Sequence, residues 1–468
     1  MTEHTRASGP PWSDAVRPLS LALAGDWTAT RGSVLGDSPR ARSLGDVLAA
    51  ADFAFANLEV VASGWAGYPV RDPWGTTLAA GTHVLDGLLE AGISMVSCAN
   101  NHALDMGSQG LVTQLRELAA RGIAVAGAGP DLTSARMPAY VDRPAGSAAL
   151  IACTTSFASG HEAAPAGLQL PGRPGISPLR HRQVLNVTAG QLATLRAIDR
   201  ETGLAAQRSG IVAMIGADPW EENADPFPFL GGFFRAAPAP GQSTFADEDD
   251  QSAIGLWIRE ARQRADLVVV SVHSHDQGGS PEEPAEFVRA FARAAVEAGA
   301  DVVVGHGPHR LRGIEVHRGR PIFYSLGNIV NQIELTERLP AEDYAKVRSG
   351  QPITPFGFFN ARSLADTCGL AAYREYWETV LPVVTARSSR PGDEDEGEDA
   401  RYYPAVVELH PVTLGFGRPA HRRGRPERAR AADGHRILKE LAELSRPYGT
   451  AIEVTGGPDG PVGRLGLR

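Results

Sequence analysis

Several short segments of the sequence place side chains that can bind a metal directly after an apolar run. They are AGD at Asp26, NLE at Asn57 and Glu59, NNHALD from Asn100 to Asp105, VHSHD from His273 to Asp276, and GHGPH at His306 and His309. In α/β sheets, ligands bind beyond the carboxyl ends of the strands. Imidazole, carboxylate and amide oxygen together suit a divalent ion such as Zn, Mn, Fe or Ni. The pattern therefore predicts a metal site that uses no cysteine.

Each of these residues also has an ordinary structural explanation. A carboxylate at a strand end, such as Asp26, is often a helix cap or a turn former. Asn100 and Asn101 fit a turn, and a single buried histidine commonly belongs to the core. Several of the 13 histidines nevertheless fall within these segments, namely His102, His273, His275, His306 and His309. This convergence favours a metal site over a set of unrelated structural roles.

The elements that would position these residues alternate between buried strands and amphipathic helices. Apolar runs predict strands at 19–26, 53–59, 94–101, 124–129, 147–156, 267–273, 301–306 and 321–328. Apolar residues at i, i+3 and i+4 predict helices at 43–51, 81–91, 108–121 and 284–298. Such alternation predicts an α/β layered fold in which residues 19–330 form one catalytic domain.

Two long segments break this rhythm. Residues 157–251 are rich in Pro and Gly, with one helix predicted over 189–205, and residues 331–400 end in a charged run. Both are predicted to be irregular insertions that shape a cleft. The aromatic residues of the first either line that cleft or form a small satellite core: Trp220, Phe227, Phe229, Phe233 and Phe234. Residues 1–18 are expected to be flexible, and 401–468 to close the domain with a strand and a helix.

Composition excludes several classes of function. The 468 residues carry a formal net charge of −9, which argues against nucleic acid or an anionic membrane as the main partner. The three cysteines form neither a disulfide framework nor a CxxC metal site, as expected for a reducing compartment. No apolar run is long enough for a signal peptide core or a membrane span, so a cytoplasmic protein is expected. The basic segment 418–430 is either a solvated connection or a site for an acidic peptide segment.

The motifs GD, NLE, NNHALDMG, VSVHSHDQG and GHGPH…GRPIFYSLGN together resemble the CapA family of capsule and poly-γ-glutamate synthesis. That family is related to the calcineurin-like metallophosphoesterases. The resemblance covers about residues 19–328, and its most specific part is the GHGPH…SLGN block. It implies a four-layer αββα sandwich that binds one or two divalent ions, such as Mn, Zn, Fe, Ni or Ca, at one edge.

The resemblance also implies roles for individual residues. The implied metal ligands are Asp26, Glu59 or Asn57 in the bridging region, Asn101, His273, His306 and His309. His102 would be an acid/base group that Asp105 orients. His275 would be a further ligand or a second acid/base group, and Asp276 is an alternative base.

Departures from the phosphoesterase pattern bear on the reaction. Thr28 stands where a metal-binding His is typical, NLE replaces a GDxxD motif, and Gly307 replaces the central His of GHHPH. These departures favour a metal that polarises a peptide carbonyl beside acid/base residues over phosphoester hydrolysis. The leading hypothesis is a cofactor-independent peptide epimerase of ribosomal peptide maturation, similar to family members acting on lasso-peptide precursors, with a substrate that bears an acidic leader. The alternatives are hydrolysis of a phosphoester or of a poly-γ-glutamate-type amide, or a non-enzymatic role in polymer synthesis.

Overall fold

The computed structural model describes residues 17–32, 34–70, 75–216, 224–347, 353–388, 402–457 and 460–467. The strands are β1 Leu19–Thr28, β2 Phe53–Leu58, β3 Met95–Ser97, β4 Ala124–Ala126, β5 Ala128–Gly129, β6 Ala139–Arg143, β7 Gly146–Thr154, β8 Gly175–Ile176, β9 His181–Val187, β10 Phe227–Phe229, β11 Gly232–Ala236, β12 Gly241–Ala246, β13 Leu267–His273, β14 Val302–His306, β15 Ile314–His317, β16 Arg320–Phe323, β17 Asn328–Asn331, β18 Glu378–Ser388, β19 Tyr402–Thr413, β20 Glu427–Arg428, β21 Glu453–Gly457 and β22 Gly460–Gly466. The α-helices are α1 Pro39–Ala50, α2 Asp86–Glu90, α3 Gly107–Ala120, α4 Leu132–Arg136, α5 Ala189–Glu201, α6 Leu204–Ile215, α7 Glu248–Arg262, α8 Glu286–Ala298, α9 Ala341–Tyr344, α10 Pro355–Arg362 and α11 Ala431–Ser445.

Two mixed sheets organise the described residues. The larger sheet runs β21-β22-β19-β18-β1-β2-β3-β4, with β17 beside β1 and β20 beside β19. The smaller runs β15-β16-β14-β13-β7-β6. Strands β1 to β4 are parallel to one another, as are β7, β13, β14 and β16. Their carboxyl ends can therefore form a common edge.

Three layers of apolar side chains hold the sheets and helices together. Leu21 and Phe55 of the larger sheet pack in one buried cluster with Val269 and Val304 of the smaller sheet. Helices α1, α2 and α3 cover the outer face of the larger sheet, and α7 and α8 cover that of the smaller one. Because each sheet is buried on both faces, its central strands are continuous apolar runs such as LVVVSVH in β13. The predicted α/β sandwich is confirmed.

The segments predicted to be irregular contain more regular structure than expected. Within 157–251, β9 to β12 form a separate four-stranded sheet, and the helix predicted over 189–205 is present as α5 and is followed by a second helix, α6. Within 331–400, β18 is a strand of the larger sheet and pairs with β1. A β-strand of this length was missed because its register depends on β1 and β19, which lie far away in the sequence.

The aromatic residues of the first insertion form a satellite cluster. Phe229 stacks near Phe227 at 6.3 Å between ring centroids and meets the edge of Phe234 at 6.4 Å. All three belong to the small sheet of β9 to β12, which gives them packing partners away from the metal-competent residues. Trp220, residues 1–16 and the charged run at 392–400 lie outside the described residues.

The C-terminal residues complete the sandwich. Strand β19 pairs with β18, and α11 places Ile437, Leu438 and Leu441 in the cluster between the two sheets. The predicted strand and helix of 401–468 are thus present, with β20 to β22 added to the larger sheet. Among the described residues, no helix has the length and apolar character needed to cross a membrane.

Candidate metal centre

The carboxyl ends of four parallel strands bring the metal-competent residues together. Across β1 and β2, Asp26 lies opposite Asn57, and across β13 and β14, His273 lies opposite His306. The two pairs come from different sheets, whose inner faces share one core. Side chains from both sheets therefore meet at one edge of the sandwich.

Asp26 is fully buried at the centre of this meeting point. Its Oδ1 accepts a hydrogen bond from Asn57 Nδ2 at 2.8 Å, and its Oδ2 lies 3.4 Å from His309 Nδ1. Burial opposes ionisation, but the hydrogen bond and charge of His309 outweigh it and hold the pKa of Asp26 below its usual range. Asp26 is thus an anionic oxygen donor inside the protein.

Glu59 is a buried carboxylate that lacks a hydrogen-bond partner on either oxygen. Its Oε1 lies 3.6 Å from His273 Nε2, and its Oε2 lies 3.7 Å from His309 Nδ1. Burial raises the pKa of Glu59 to about 8. A buried carboxylate without a partner costs several kcal/mol unless a cation balances it, so both oxygens fit a metal ion.

His306 is the second buried group with unsatisfied polar atoms. Both ring nitrogens lack a hydrogen-bond partner, and Nδ1 lies 3.6 Å from Asp26 Oδ1. Burial lowers the pKa of His306 to about 4, and burial together with His275 holds the pKa of His273 well below its ordinary value. Both imidazoles are therefore neutral at pH 7, which is the form that binds metal.

The donor atoms form two overlapping groups that could hold an ion. Asp26, Glu59 and His273 make one group, and Glu59, His275 and His309 make the other, with the ligand atoms of each within 4.8 Å of one another. Glu59 belongs to both groups. The sequence offered Glu59 or Asn57 for the bridging region, and this arrangement is compatible with Glu59 there.

The side-chain amide of Asn57 contacts two of the candidate ligands. Its Nδ2 donates to Asp26 and contacts His273 Nδ1 at 3.2 Å, while its Oδ1 accepts from Asn100 Nδ2 at 3.3 Å. The atom of Asn57 that contacts both Asp26 and His273 is its amide nitrogen, which is not a metal donor, and this contact supports an orienting role for Asn57 towards two candidate ligands. Asn101 does reach the cluster, with Oδ1 at 2.9 Å from His273 Nε2.

A histidine–carboxylate pair lies beside the cluster. His102 Nδ1 is 2.8 Å from Asp105 Oδ2, which also accepts the backbone N–H of Leu78 at 2.7 Å. Burial opposes protonation, but Asp105 raises the pKa of His102 above its ordinary value. The pairing leaves Nε2 as the ring nitrogen that can exchange a proton with a substrate.

His275 and Asp276 separate although they are adjacent in sequence. His275 Nε2 lies 3.3 Å from His273 Nε2, and loss of solvent together with His309 lowers the pKa of His275 to about 3. The Asp276 carboxylate accepts hydrogen bonds from Thr155 at 2.6 Å and Ser274 at 3.1 Å. It thus fixes the loop after β13, which does not support its role as a base.

A cleft of about 420 Å³ opens onto these residues, within the roughly 300–1,000 Å³ typical of small-ligand sites. Asn101, His102, His275 and His309 line its floor. The opposite wall consists of residues from α10 and the 3-10 helices that follow: Phe359, Arg362, Leu370, Ala371, Tyr373, Tyr376 and Trp377. Of the two long insertions, the second therefore contributes to the cleft, and the described aromatic residues of the first, Phe227, Phe229, Phe233 and Phe234, do not line it.

The profile of the family described as bacterial capsule synthesis protein PGA_cap matches residues 20–333, well over half of the chain. The chain belongs to the PGA_cap family. Each residue predicted as a ligand or as an acid/base group lies inside this match, whereas the cleft wall after residue 353 lies outside it. The resemblance to CapA proteins is therefore confirmed.

The similarity to individual relatives covers different shares of the chain. The uncharacterized proteins y4uA and y4sH of Sinorhizobium fredii are each 29% identical to this chain over 96% of its length and 94% of theirs. The PGA biosynthesis protein CapA of Bacillus subtilis is 28% identical over 52% of this chain and 44% of its own length. A probable polyglutamine synthesis accessory protein of Mycobacterium tuberculosis is 28% identical over 50% of this chain.

One residue of the PGA_cap site was missed by the sequence analysis. Asn328 lies opposite Asp26 in the pairing of β17 with β1, with its Oδ1 at 2.9 Å from His309 Nδ1. Its Nδ2 donates to the backbone oxygen of Tyr376 at 3.1 Å, which ties the centre to the cleft wall. The signal available in the sequence was the strand end SLGN, which repeats the pattern of the other ligand segments.

Proposed function

We propose that this PGA_cap family member is a metal-dependent acid/base enzyme acting on a peptide, with epimerisation at Cα as the leading reaction. The observation that carries the proposal is the combination of two buried groups with unsatisfied polar atoms, Glu59 and His306, beside the His102–Asp105 pair. The unsatisfied polar atoms of Glu59 and His306 suit a cation, and the His102–Asp105 pair suits proton transfer. All of them lie at one edge of the sandwich.

The donor set fits a divalent ion without using the acid/base pair. Asp26, Glu59, His273, His306 and His309 would hold it, with Asn101 as a further donor. Such an ion supplies Lewis acidity, which polarises a carbonyl oxygen and makes the neighbouring Cα proton easier to remove. The mixed oxygen and nitrogen donors suit Mn, Zn, Fe or Ni better than Ca, which prefers oxygen ligands.

Two histidines of the cleft have separate roles in proton transfer. His102 accepts the Cα proton at Nε2, because Asp105 holds Nδ1 and stabilises the protonated ring. His275 lines the same cleft, and because its lowered pKa leaves the ring neutral, it would relay a proton from water to the opposite side of Cα, taking it up at one ring nitrogen as it gives one from the other. The enclosed apolar wall with Trp377 and Phe359 limits water around the reacting carbon.

Hydrolysis of an amide is the second candidate, and one observation favours it. His275 belongs to the group with Glu59 and His309 that could hold an ion, and its pKa is lowered to about 3. If His275 is a ligand, only His102 remains as an acid/base group, which suffices for hydrolysis but not for two-base epimerisation. The names of the Bacillus and Mycobacterium relatives, which refer to polymers of glutamate or glutamine, make a poly-amino-acid amide the matching substrate.

An acidic leader segment on the peptide is a further part of the proposal. Much of the basic segment 418–430 is engaged within the protein, since Arg423 pairs with Glu334 and Asp366, and Arg418 pairs with Glu427. A leader would therefore have to meet the exposed residues Arg422, Arg425 and Arg430.

A single experiment in deuterated water separates the two reactions. The protein is supplied with Mn²⁺ or Zn²⁺ and incubated with peptides encoded beside its gene and, separately, with oligo-γ-glutamate. Epimerisation leaves the peptide intact and replaces the Cα hydrogen by deuterium, whereas hydrolysis gives two fragments. Fragments alone would replace the leading reaction by the second, and neither product from any of these substrates would contradict both.

A further inference from the structure

Arg362 presents a positive charge to the cleft without a carboxylate partner among the described residues. It is the last residue of α10 and lines the cleft that also contains His102 and His309. Its Nη1 donates a hydrogen bond to the side-chain oxygen of Thr76, another cleft residue. One edge of the guanidinium is thus held by a neutral neighbour.

The other charged side chains of the cleft have ionic partners within the protein. Glu334 accepts two hydrogen bonds from Arg423, at 2.6 and 2.5 Å, and that guanidinium also pairs with Asp366. His102 is paired with Asp105 at 2.8 Å. Arg362 is therefore the guanidinium of the described cleft lining that contacts no carboxylate, and an anionic ligand could pair with it.

We propose that Arg362 binds a carboxylate of the substrate and so selects an anionic peptide. This inference rests on the proposed function, because it takes the cleft as the substrate site. A guanidinium binds a carboxylate through paired N–H···O bonds, a geometry that Lys cannot reproduce. Arg362 is exposed to solvent, so a ligand entering the cleft can reach its guanidinium.

Two sources of carboxylate share this chemistry, namely the C-terminus of a peptide and the side chain of a glutamate residue. Three probes distinguish them: acetyl-Ala-Ala-Leu with a free carboxylate, the same peptide as its C-terminal amide, and acetyl-Ala-Ala-Glu amide. Their Kd values are measured by isothermal titration calorimetry. The proteins are the wild type, Arg362→Gln, Arg362→Lys and a control, Arg259→Gln, which changes an exposed arginine of α7 on the outer side of the smaller sheet.

We expect the wild type to bind at least one carboxylate probe more tightly than the neutral amide. Arg362→Gln should weaken that probe about tenfold or more, as for the loss of a charge-assisted hydrogen bond, and leave the neutral amide unchanged. The Kd of that probe for Arg362→Lys should lie between those of the wild type and Arg362→Gln, and the Kd for Arg259→Gln should equal that of the wild type. The probe that responds identifies the source of the carboxylate.

Equal binding of all three probes by the wild type would overturn the inference, as would an unchanged affinity in Arg362→Gln. An equal loss for the neutral amide would show that the substitution disturbs the cleft as a whole, which also contradicts a carboxylate site. These binding results do not depend on turnover. Loss of the proposed function would instead appear as absent metal or absent Cα exchange, while the carboxylate preference could persist.

Discussion

Asn57 donates its side-chain amide to Asp26 at 2.8 Å, across neighbouring parallel strands of the larger sheet. The same amide nitrogen contacts His273 of the other sheet at 3.2 Å. One asparagine thus orients two candidate ligands that lie 247 residues apart. This link explains why the centre depends on the packing of the two sheets as well as on its ligands.

His306→Ala should remove metal from the protein. A direct ligand is lost, so affinity should fall by at least the roughly 10- to 100-fold typical of changes around a metal site. Metal content after dialysis, measured by mass spectrometry, tests this. His435→Ala, which changes an exposed histidine of α11, is the control and should keep its metal. Full metal content in His306→Ala would contradict the ligand assignment.

His102→Gln should keep the metal but lose turnover by about 10²- to 10⁴-fold, the usual contribution of a general acid/base group. Its ring contacts Asp105 and lines the cleft, and neither group that could hold an ion contains it. Parallel measurements of metal content and of Cα exchange are needed. Loss of metal together with activity would instead make His102 a ligand.

Asn328→Ala should weaken metal binding about 10- to 100-fold without removing any of the predicted ligands. The substitution frees His309 Nδ1 from its contact at 2.9 Å and releases the backbone oxygen of Tyr376. Titration with Mn²⁺ measures the change. The matched control is Asn186→Ala, which loses a hydrogen bond to Ser243 in the small separate sheet and should bind metal normally. Equal affinities for the two variants would rule out this positioning role.

Gly25→Ala should destabilise the protein by about 1–3 kcal/mol, as overpacking does, and should also weaken metal binding. A Cβ on Gly25 would overlap the backbone oxygen of Gly327, which accepts the N–H of Asp26 at 2.9 Å. Urea unfolding gives the free energy change. Gly210→Ala on α6, where a Cβ meets nothing, should be neutral or slightly stabilising. The expectation fails if Gly25→Ala is as stable as the control.

Acid should destabilise the metal-free protein partly through His306. Burial lowers its pKa from 6.5 to about 4, so the folded state resists protonation that the unfolded state accepts. The stabilisation is therefore complete above pH 6.5 and is lost as the pH falls towards 4. His306→Phe removes this contribution while filling the space beside Phe55. Its free energy of unfolding should fall less between pH 6.5 and 4 than that of the wild type, and parallel curves would exclude the effect.

Much of the centre could be predicted because its signals are local. The strand at 267–273 was predicted with its observed bounds. The polar residues that follow each apolar run could be recognised from the alternation of apolar and polar segments alone. Glu59, His273, His306 and His309 lie together near Asp26 because they end or follow strands whose carboxyl ends share one edge.

The roles within the centre required the tertiary structure. Asn57 and Asp276 look like ligand or base from their neighbours in sequence, but partners on other strands and loops engage their polar atoms. Asn328 reaches His309 only because β17 pairs with β1.

The sequence by itself determined the main alternation of strands and helices in residues 19–156 and 267–328 and the chemical types of the candidate ligands, because both depend on short-range patterns of apolar and polar residues. Only the tertiary structure decided that α10 and the residues up to Trp377 form the cleft wall, and that Arg362 faces the centre from it. The physical reason is that these contacts join segments separated by hundreds of residues, and their geometry follows from packing the two sheets together.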